Sequence, residues 1–415
     1  MEKKTINKKI IIGIVAVLFI VGGVFAWQYF RPEKPTIEEA NAILAESNQK
    51  TLALNSFTTM GDINFQIKDK ETVLLRVTSE DMRISAINPF NFANQDSSMT
   101  TRYNVMINFQ AIIDRVKGGM TPEELEGLKE PIPMMGISSY KLMTTMRALG
   151  EANISVAMEM KTIDFNSYTK IVEVAGLREI ITQVGGMFLA EMIMGGMEPY
   201  LGIWRKTPAD PIAIEKMTGM FEKIERLIPT FNDAVYVKEV LPNTRVNGMA
   251  VYNFVLGINS GKLKDVVISI IPLISERDEM ELLIEDKEKM KTTIIEAWPK
   301  VVQIIEAMNI DSTTYIDQRT RFRIRDTGAI NINLYDFVTL MRQIALEQEV
   351  EVTPEEIAEF ERLKNIVRNM NIVMTANFTY NEHNAVPAIV PPAEYEVVEP
   401  EPMMPPMRPP IRSIR

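Results

Sequence analysis

The sequence predicts an α+β fold: one large, curved, mostly antiparallel sheet of ten to twelve strands, helices against one face, and one N-terminal transmembrane helix. Three observations predict it. Apolar and polar residues alternate with period two in Phe57–Lys68 and again in Met249–Asn259 and Asn371–Tyr380, the pattern of half-buried antiparallel strands. Stretches with helical spacing are inserted between those strand groups, which is the order of an α+β layer architecture. Finally, Ile10–Phe30 is a run of 21 residues without a charge, and at about 1.5 Å per residue it can cross a hydrocarbon core of roughly 30 Å.

Lys3, Lys4, Lys8 and Lys9 precede that run, and Trp27 and Tyr29 stand at its far end. The positive-inside bias then places residues 1–9 in the cytoplasm and everything after Arg31 across the membrane. Val24-Phe25-Ala26 also has the small-x-small form of a signal-peptide cleavage site, so removal after Ala26 is the alternative to an uncleaved anchor, although the apolar run exceeds a usual signal core.

Residues 31–35 form a Pro-bearing linker, and the domain proper occupies 36–398. Thr36-Ile37-Glu38-Glu39 has the form of a capping box and opens a helix from Ile37 to about Leu54. Phe57, Ile63, Phe65 and Ile67 then share one strand face, Val73, Leu75 and Val77 continue the alternation, and Met82–Ala86 does so weakly. After a loop at Asn88–Ser98, Tyr103, Val105, Ile107 and Phe109 alternate with polar neighbours. The strand signal lapses between Ala111 and Gly150, where Thr121-Pro122-Glu123-Glu124 starts a short helix. Strands resume at Ile154–Phe165 and Ser167–Val174. Leu177–Met194 reads as a Met-rich apolar helix closed by Gly195-Gly196. It is long enough to pose the question of a second span, but Arg178, Glu179, Gln183 and Glu191 favour a buried or lid helix.

Tyr200–Lys206 is a short strand-like patch carrying Trp204, and Ile212–Leu227 an amphipathic helix. Ala234–Leu241 and Met249–Asn259 pair through a turn with Asn247-Gly248. Lys262–Asn309 is helical, with breaks expected at Pro272 and Pro299. Strands follow at Thr313–Arg325 and Ala329–Leu334. Asp336–Asn369 is helical with a capping box at Thr353, and Asn371–Tyr380 is the last clear strand. Residues 399–415, rich in Pro, Met and Arg, cannot build a core and read as a disordered tail. A division into two domains near residue 210 is the alternative to one sheet.

At 415 residues with 24% charged and 46% hydrophobic side chains, the chain can bury a sizeable core. Its net charge of −10 argues against nucleic acid. The absence of Cys removes disulfides, thiolate chemistry and lipidation at a cysteine. His383 is the only histidine, so His-based triads and His-rich metal sites are excluded, and its polar turn places it at the surface. No catalytic constellation, phosphate loop or cofactor motif emerges, and the chain reads as non-enzymatic without a cofactor. Arg319, Arg321, Arg323 and Arg325 alternate, which predicts a solvated strand face balanced by acids, or a contact to an anion or lipid headgroup.

Four passages carry a family resemblance: Asn55–Gly61 after the opening helix; Tyr200–Lys206, ending in Trp and basic residues; Val246-Asn247-Gly248-Met249-Ala250-Val251-Tyr252-Asn253-Phe254; and Ala376–Asn381 followed by Val386-Pro387 and Pro391-Pro392. Their order resembles the bacterial lipoprotein-carrier-like superfamily (the LolA, LolB and LppX/LprG type), with Tyr315–Thr320 fitting its late strand and turn. The resemblance implies a half-barrel of about eleven strands, its concave face covered by helices and often holding acyl chains. The chain departs from it in lacking the lipidated Cys and in its helical insertions, which could fill the cavity. Two functions follow as expectations. The first is a membrane-anchored extracytoplasmic protein that binds a lipid or other apolar ligand at the cell envelope, with Phe57, Ile63, Phe65, Met187, Met192, Tyr252 and Phe254 as the apolar lining. The second is a scaffolding ectodomain with a filled core that contacts other envelope proteins. A closed, packed face would favour the second; an open apolar cavity would favour the first.

Overall fold

The computed structural model describes residues 35–91, 95–129, 138–209, 230–274, 284–346 and 354–398, together with 214, 225, 227 and 228. The proposed transmembrane run Ile10–Phe30, the capping residue Thr353, most of the Ile212–Leu227 helix and the tail from residue 399 lie outside the described residues. The protein is α+β, built on one open twelve-stranded sheet in the order β12-β6-β5-β4-β3-β2-β1-β11-β10-β9-β8-β7. All the strands, early and late, therefore belong to one sheet.

The first strands are β1 (Ser56–Asp69), β2 (Thr72–Ile87) and β3 (Asp96–Asn108). Next come β4 (Glu151–Ile163), β5 (Asn166–Ala175), β6 (Arg205–Thr207), β7 (Val235–Val246) and β8 (Met249–Ile258). The last are β9 (Ile310–Asp317), β10 (Arg323–Asn333), β11 (Met370–Asn381) and β12 (Glu396–Val397). Neighbours are antiparallel except β12, which joins β6 in parallel. The weak stretch at Met82–Ala86 belongs to β2, whose register shifts between Glu80 and Arg83 opposite β3. Such a bulge hides the alternation from the sequence. The expected strand Thr313–Arg325 is instead a hairpin: Asp317 accepts from the backbone N–H of Arg319 and Thr320, which turns the chain between β9 and β10. That turn splits the arginine row.

The helices are α1 (Ile37–Leu52), α2 (Phe109–Gly118), α3 (Pro122–Gly127), α4 (Ser139–Leu149) and α5 (Leu177–Met197). They are followed by α6 (Ser260–Ile274), α7 (Ile284–Ala307), α8 (Leu334–Leu346) and α9 (Pro354–Val367). Thr121 and Glu124 form the complete reciprocal capping box. At α1 the Thr36 side chain accepts from the Glu39 N–H, but its hydroxyl bonds the Glu39 carboxylate. The expected breaks at Pro272 and Pro299 do not occur: α6 extends past Pro272, and α7 runs through Pro299. Tertiary packing of α7 outweighs the lost hydrogen bond of an internal proline.

The main core lies between the sheet and the pair α6–α7. Leu263 and Val267 of α6 and Trp298 and Val301 of α7 pack against Phe57, Met82, Ala376, Phe378 and Tyr380. A second cluster joins Ile304 of α7 and Met308 just beyond it to Ile330, with Met374 and the α8 residues Phe337, Leu340 and Met341 around it. After β11 the chain runs from Glu382 to β12 across the ends of β1 to β5. Asn384 bonds the backbones of Asn55 and Ser56, Lys161 donates to the Val390 carbonyl, and Glu396 N–H bonds Trp204.

Candidate functional site

By register, five of the seven residues expected to line an apolar site share one sheet face. Phe57 is buried in the main core, in stacked contact with Phe90 and edge-on to Tyr380, and Ile63 packs on the border of the same core. Phe254 is fully buried on β8 with Tyr252 stacked 5.6 Å away, and the Arg321 guanidinium lies 5.0 Å over Tyr252. α6 and α7 fill the space in front of Phe57 and Ile63. Phe65 stands further along. It faces Met374 and Val77, and the row continues through Val105 to Ile154. With Met374 of β11, these are half-buried apolar side chains on five adjacent strands.

Met187 and Met192 are not brought to that face. They lie on α5, where Met187 is 69% and Met192 59% exposed, and Phe188 between them is 83% exposed. Leu177–Tyr200 is the one described segment apolar and long enough to cross a membrane by length and composition, and it is internal. Its geometry is not that of a span. Gly186 has φ 82° and ψ 168°, a glycine-only conformation that interrupts the helix. Arg178 then reaches Glu191 at 2.5 Å and Glu198 at 3.8 Å. Residues 13 apart on a straight helix would be about 20 Å apart along its axis, so the chain folds back on itself at Gly186. α5 is therefore a helical hairpin with arms 177–185 and 187–197. The Gly195-Gly196 pair lies inside its second arm and does not end it. Ala190 and Met194 are its buried residues.

At the base of the hairpin the chain passes through Tyr200 and Trp204 into β6, where cations and aromatic rings gather. Arg205 lies 3.7 Å over the Tyr200 ring, and Lys161 and Lys170 lie 5.5 and 5.7 Å from the Trp204 ring. Lys206 is 5.7 Å from Tyr168 and 5.8 Å from Tyr395. Lys170 pairs with Glu159 and Arg205 with Glu396. Among the described residues, Lys161 and Lys206 pair with no carboxylate. The patch Tyr200–Lys206 was legible, but the lysines of β4 and β5 join it only through strand pairing.

The arginine row holds the largest departure from expectation. Arg323 is buried, not on a solvated face, and its Nε lies 3.0 Å from Asp326. Asp326 also accepts from the Thr314 hydroxyl and, at 2.7 Å, from the Tyr380 hydroxyl. Burial pushes the Asp326 carboxyl up to about 6, against the opposing pull of Arg323, Thr314 and Tyr380. Burial and the Asp326 charge hold the Tyr380 phenol well above its usual range. His383, expected in solvent, is half-buried and stacks 4.7 Å from Phe322; desolvation lowers its pKa. The network closes the β9–β10 hairpin onto β11 as an internal brace: the Asp326 carboxylate takes the hydroxyls of Thr314 and Tyr380 and faces the Arg323 charge.

Two clefts stand out among the described residues. One of about 490 Å³ lies on the polar side of β2–β4 between Arg76, Glu80, Asn104 and Asn153. Another of about 320 Å³ lies between β7, β8 and the end of α7, lined by Tyr236, Lys238, Glu306 and Asp311. Among the described residues, no three His, Asp or Glu side chains are grouped to hold a metal ion. No protein-family model, no curated protein and no solved structure matches the chain.

Proposed function

We propose that the chain is a membrane-tethered, extracytoplasmic and non-enzymatic scaffolding ectodomain of the cell envelope. In this reading its sheet curls as a half-barrel with helices on the concave face, as in the lipoprotein-carrier-like superfamily it resembles, and Ile10–Phe30 is the tether. The filled core directs its action to its surface, toward other envelope components. The observation that carries this is the packing of Leu263, Val267, Trp298 and Val301 against Phe57, Phe378 and Tyr380: the insertion helices sit where a carried ligand would sit. A domain filled in this way has no reason to retain an acyl chain. Native mass spectrometry of residues 31–398, purified without detergent, tests it. The mass of the bare polypeptide supports scaffolding, and a stoichiometric copurifying lipid overturns it.

A second reading, carriage of a lipid or other apolar ligand, draws on the half-buried row Phe65–Val77–Val105–Ile154, which lies outside the buried clusters. The same spectrum decides between them, and a spin-labelled or brominated acyl chain that broadens or quenches probes along that row would identify the seat.

A further inference from the structure

The α5 hairpin carries its own chemistry in a gradient from base to tip. Arg178, Glu179 and Glu191 are the charged residues of the segment, and Arg178 gathers Glu191 and Glu198 toward the base. Between Ile180 and Ala190 the side chains are Ile, Ile, Thr, Gln, Val, Met, Phe, Leu and Ala around the two glycines, with no charge. The turn thus presents Met187 and Phe188 as its most exposed large side chains, at 69% and 83%. Leaving them in water forgoes the favourable transfer of their apolar surface out of it.

We propose that this hairpin inserts its tip into one leaflet of a lipid bilayer bearing anionic headgroups. The inference rests on the membrane-tethered reading for the nearness of a bilayer. Three features fit that occupant. At about 1.5 Å per residue the arms are about 13 and 16 Å long, which is roughly one leaflet of a 30 Å hydrocarbon core and too short to cross it. The hairpin form lets the backbone satisfy its own hydrogen bonds in both arms, as a segment entering hydrocarbon must. At the base stand Tyr200 and Trp204, the side chains that favour the membrane–water boundary, beside Lys161, Lys170, Arg205 and Lys206. Lys161 and Lys206 are free of carboxylate partners among the described residues, so this band is complementary to lipid phosphates on a chain whose net charge is −10. A protein partner would be met by a polar rim and hydrogen-bonding groups around an apolar centre, and the tip offers only Thr182 and Gln183.

The chain contains no cysteine, which makes a single-site probe clean. Full-length Phe188→Cys and, on the far edge strand β7, Lys238→Cys are labelled with an environment-sensitive nitrobenzoxadiazole dye. Each is reconstituted into vesicles of phosphatidylcholine and phosphatidylglycerol, with and without doxyl-labelled lipid. The proposal predicts a blue-shifted emission at position 188 that doxyl lipid quenches, and an unshifted, unquenched emission at 238. Equal, water-like emission at both sites overturns it. A blue shift at 188 without quenching also overturns it, since a second copy or the chain's own residues then cover the tip. Flotation after carbonate washing reads the tether separately: quenching at 188 in chains that carbonate releases keeps the hairpin and refutes the anchor, while unquenched 188 in carbonate-resistant chains does the reverse.

Discussion

Replacing Trp298 by alanine tests whether α7 is a permanent part of the core. Trp298 is 6% exposed and packs in the cluster that joins α6, α7, β1 and β11. Truncating a buried aromatic to alanine costs about 3–5 kcal/mol through lost transfer energy and the space left behind. The indole Nε1 is buried with no acceptor among the described residues, and an unsatisfied buried donor costs about 1–3 kcal/mol, which the truncation recovers. The expected net loss is about 2 kcal/mol, a sizeable share of a typical stability of about 5–15 kcal/mol. Urea unfolding followed by far-ultraviolet circular dichroism reads it as a lower midpoint at unchanged slope. Trp298→Phe, which keeps a ring and deletes the orphan N–H, is expected to lose far less. A loss below about 1 kcal/mol for the alanine variant would refute the packing argument, because a lid that lifts from the sheet contributes little to global stability.

Three other perturbations address the brace and the hairpin. Tyr380→Phe removes the 2.7 Å bond to Asp326 and, the acceptor being a buried charged group, should cost about 1.5–3 kcal/mol in the same assay; no measurable loss would place the bond outside the fold's energetics. Asp326 titrates at about 6 in the folded chain against 3.8 for the free group. The folded state therefore holds this proton more tightly, so its contribution to stability is full below about pH 4 and is lost as pH rises through 6. The carboxyl carbon shift of Asp326 should show its midpoint near 6, and a midpoint near 4 would contradict the burial argument. Gly186→Ala meets open space but a φ of +82°, so the cost is conformational, about 1–3 kcal/mol. Distances between spin labels at 178 and 191 should lengthen or broaden in the variant, and an unchanged short distance would show that the fold-back does not depend on glycine.

The strands were legible because one face of each is apolar and the other polar: Phe57, Ile63, Phe65 and Ile67 do share a face, and Ala376, Phe378 and Tyr380 do point into the core. The Asn247-Gly248 turn was legible for a conformational reason, since both residues take positive φ. Where local pattern and tertiary context disagreed, the sequence misled. Pro299 is tolerated because α7 is clamped by its apolar face. Arg323 alternates like a surface residue, yet Asp326 and Tyr380 arrive from β10 and β11 to neutralise it in the interior. The Met-rich stretch has the composition of one long helix, and a single glycine conformation folds it double. Tyr380 lies 54 residues from Asp326, and the sheet residues that clamp α7 are as remote, so no short window along the chain contains the burial that decides these cases.

Amide hydrogen exchange along α6 and α7 tests the filled face most directly. If these helices are fixed core, the amides around Val267 and from Trp298 to Ile304 exchange only through global unfolding, with protection matching that of β1 and β11. Protection near the level of the exposed α5 hairpin would mean that α6 and α7 lift off the sheet, and the face beneath them would have to be reread as a binding surface.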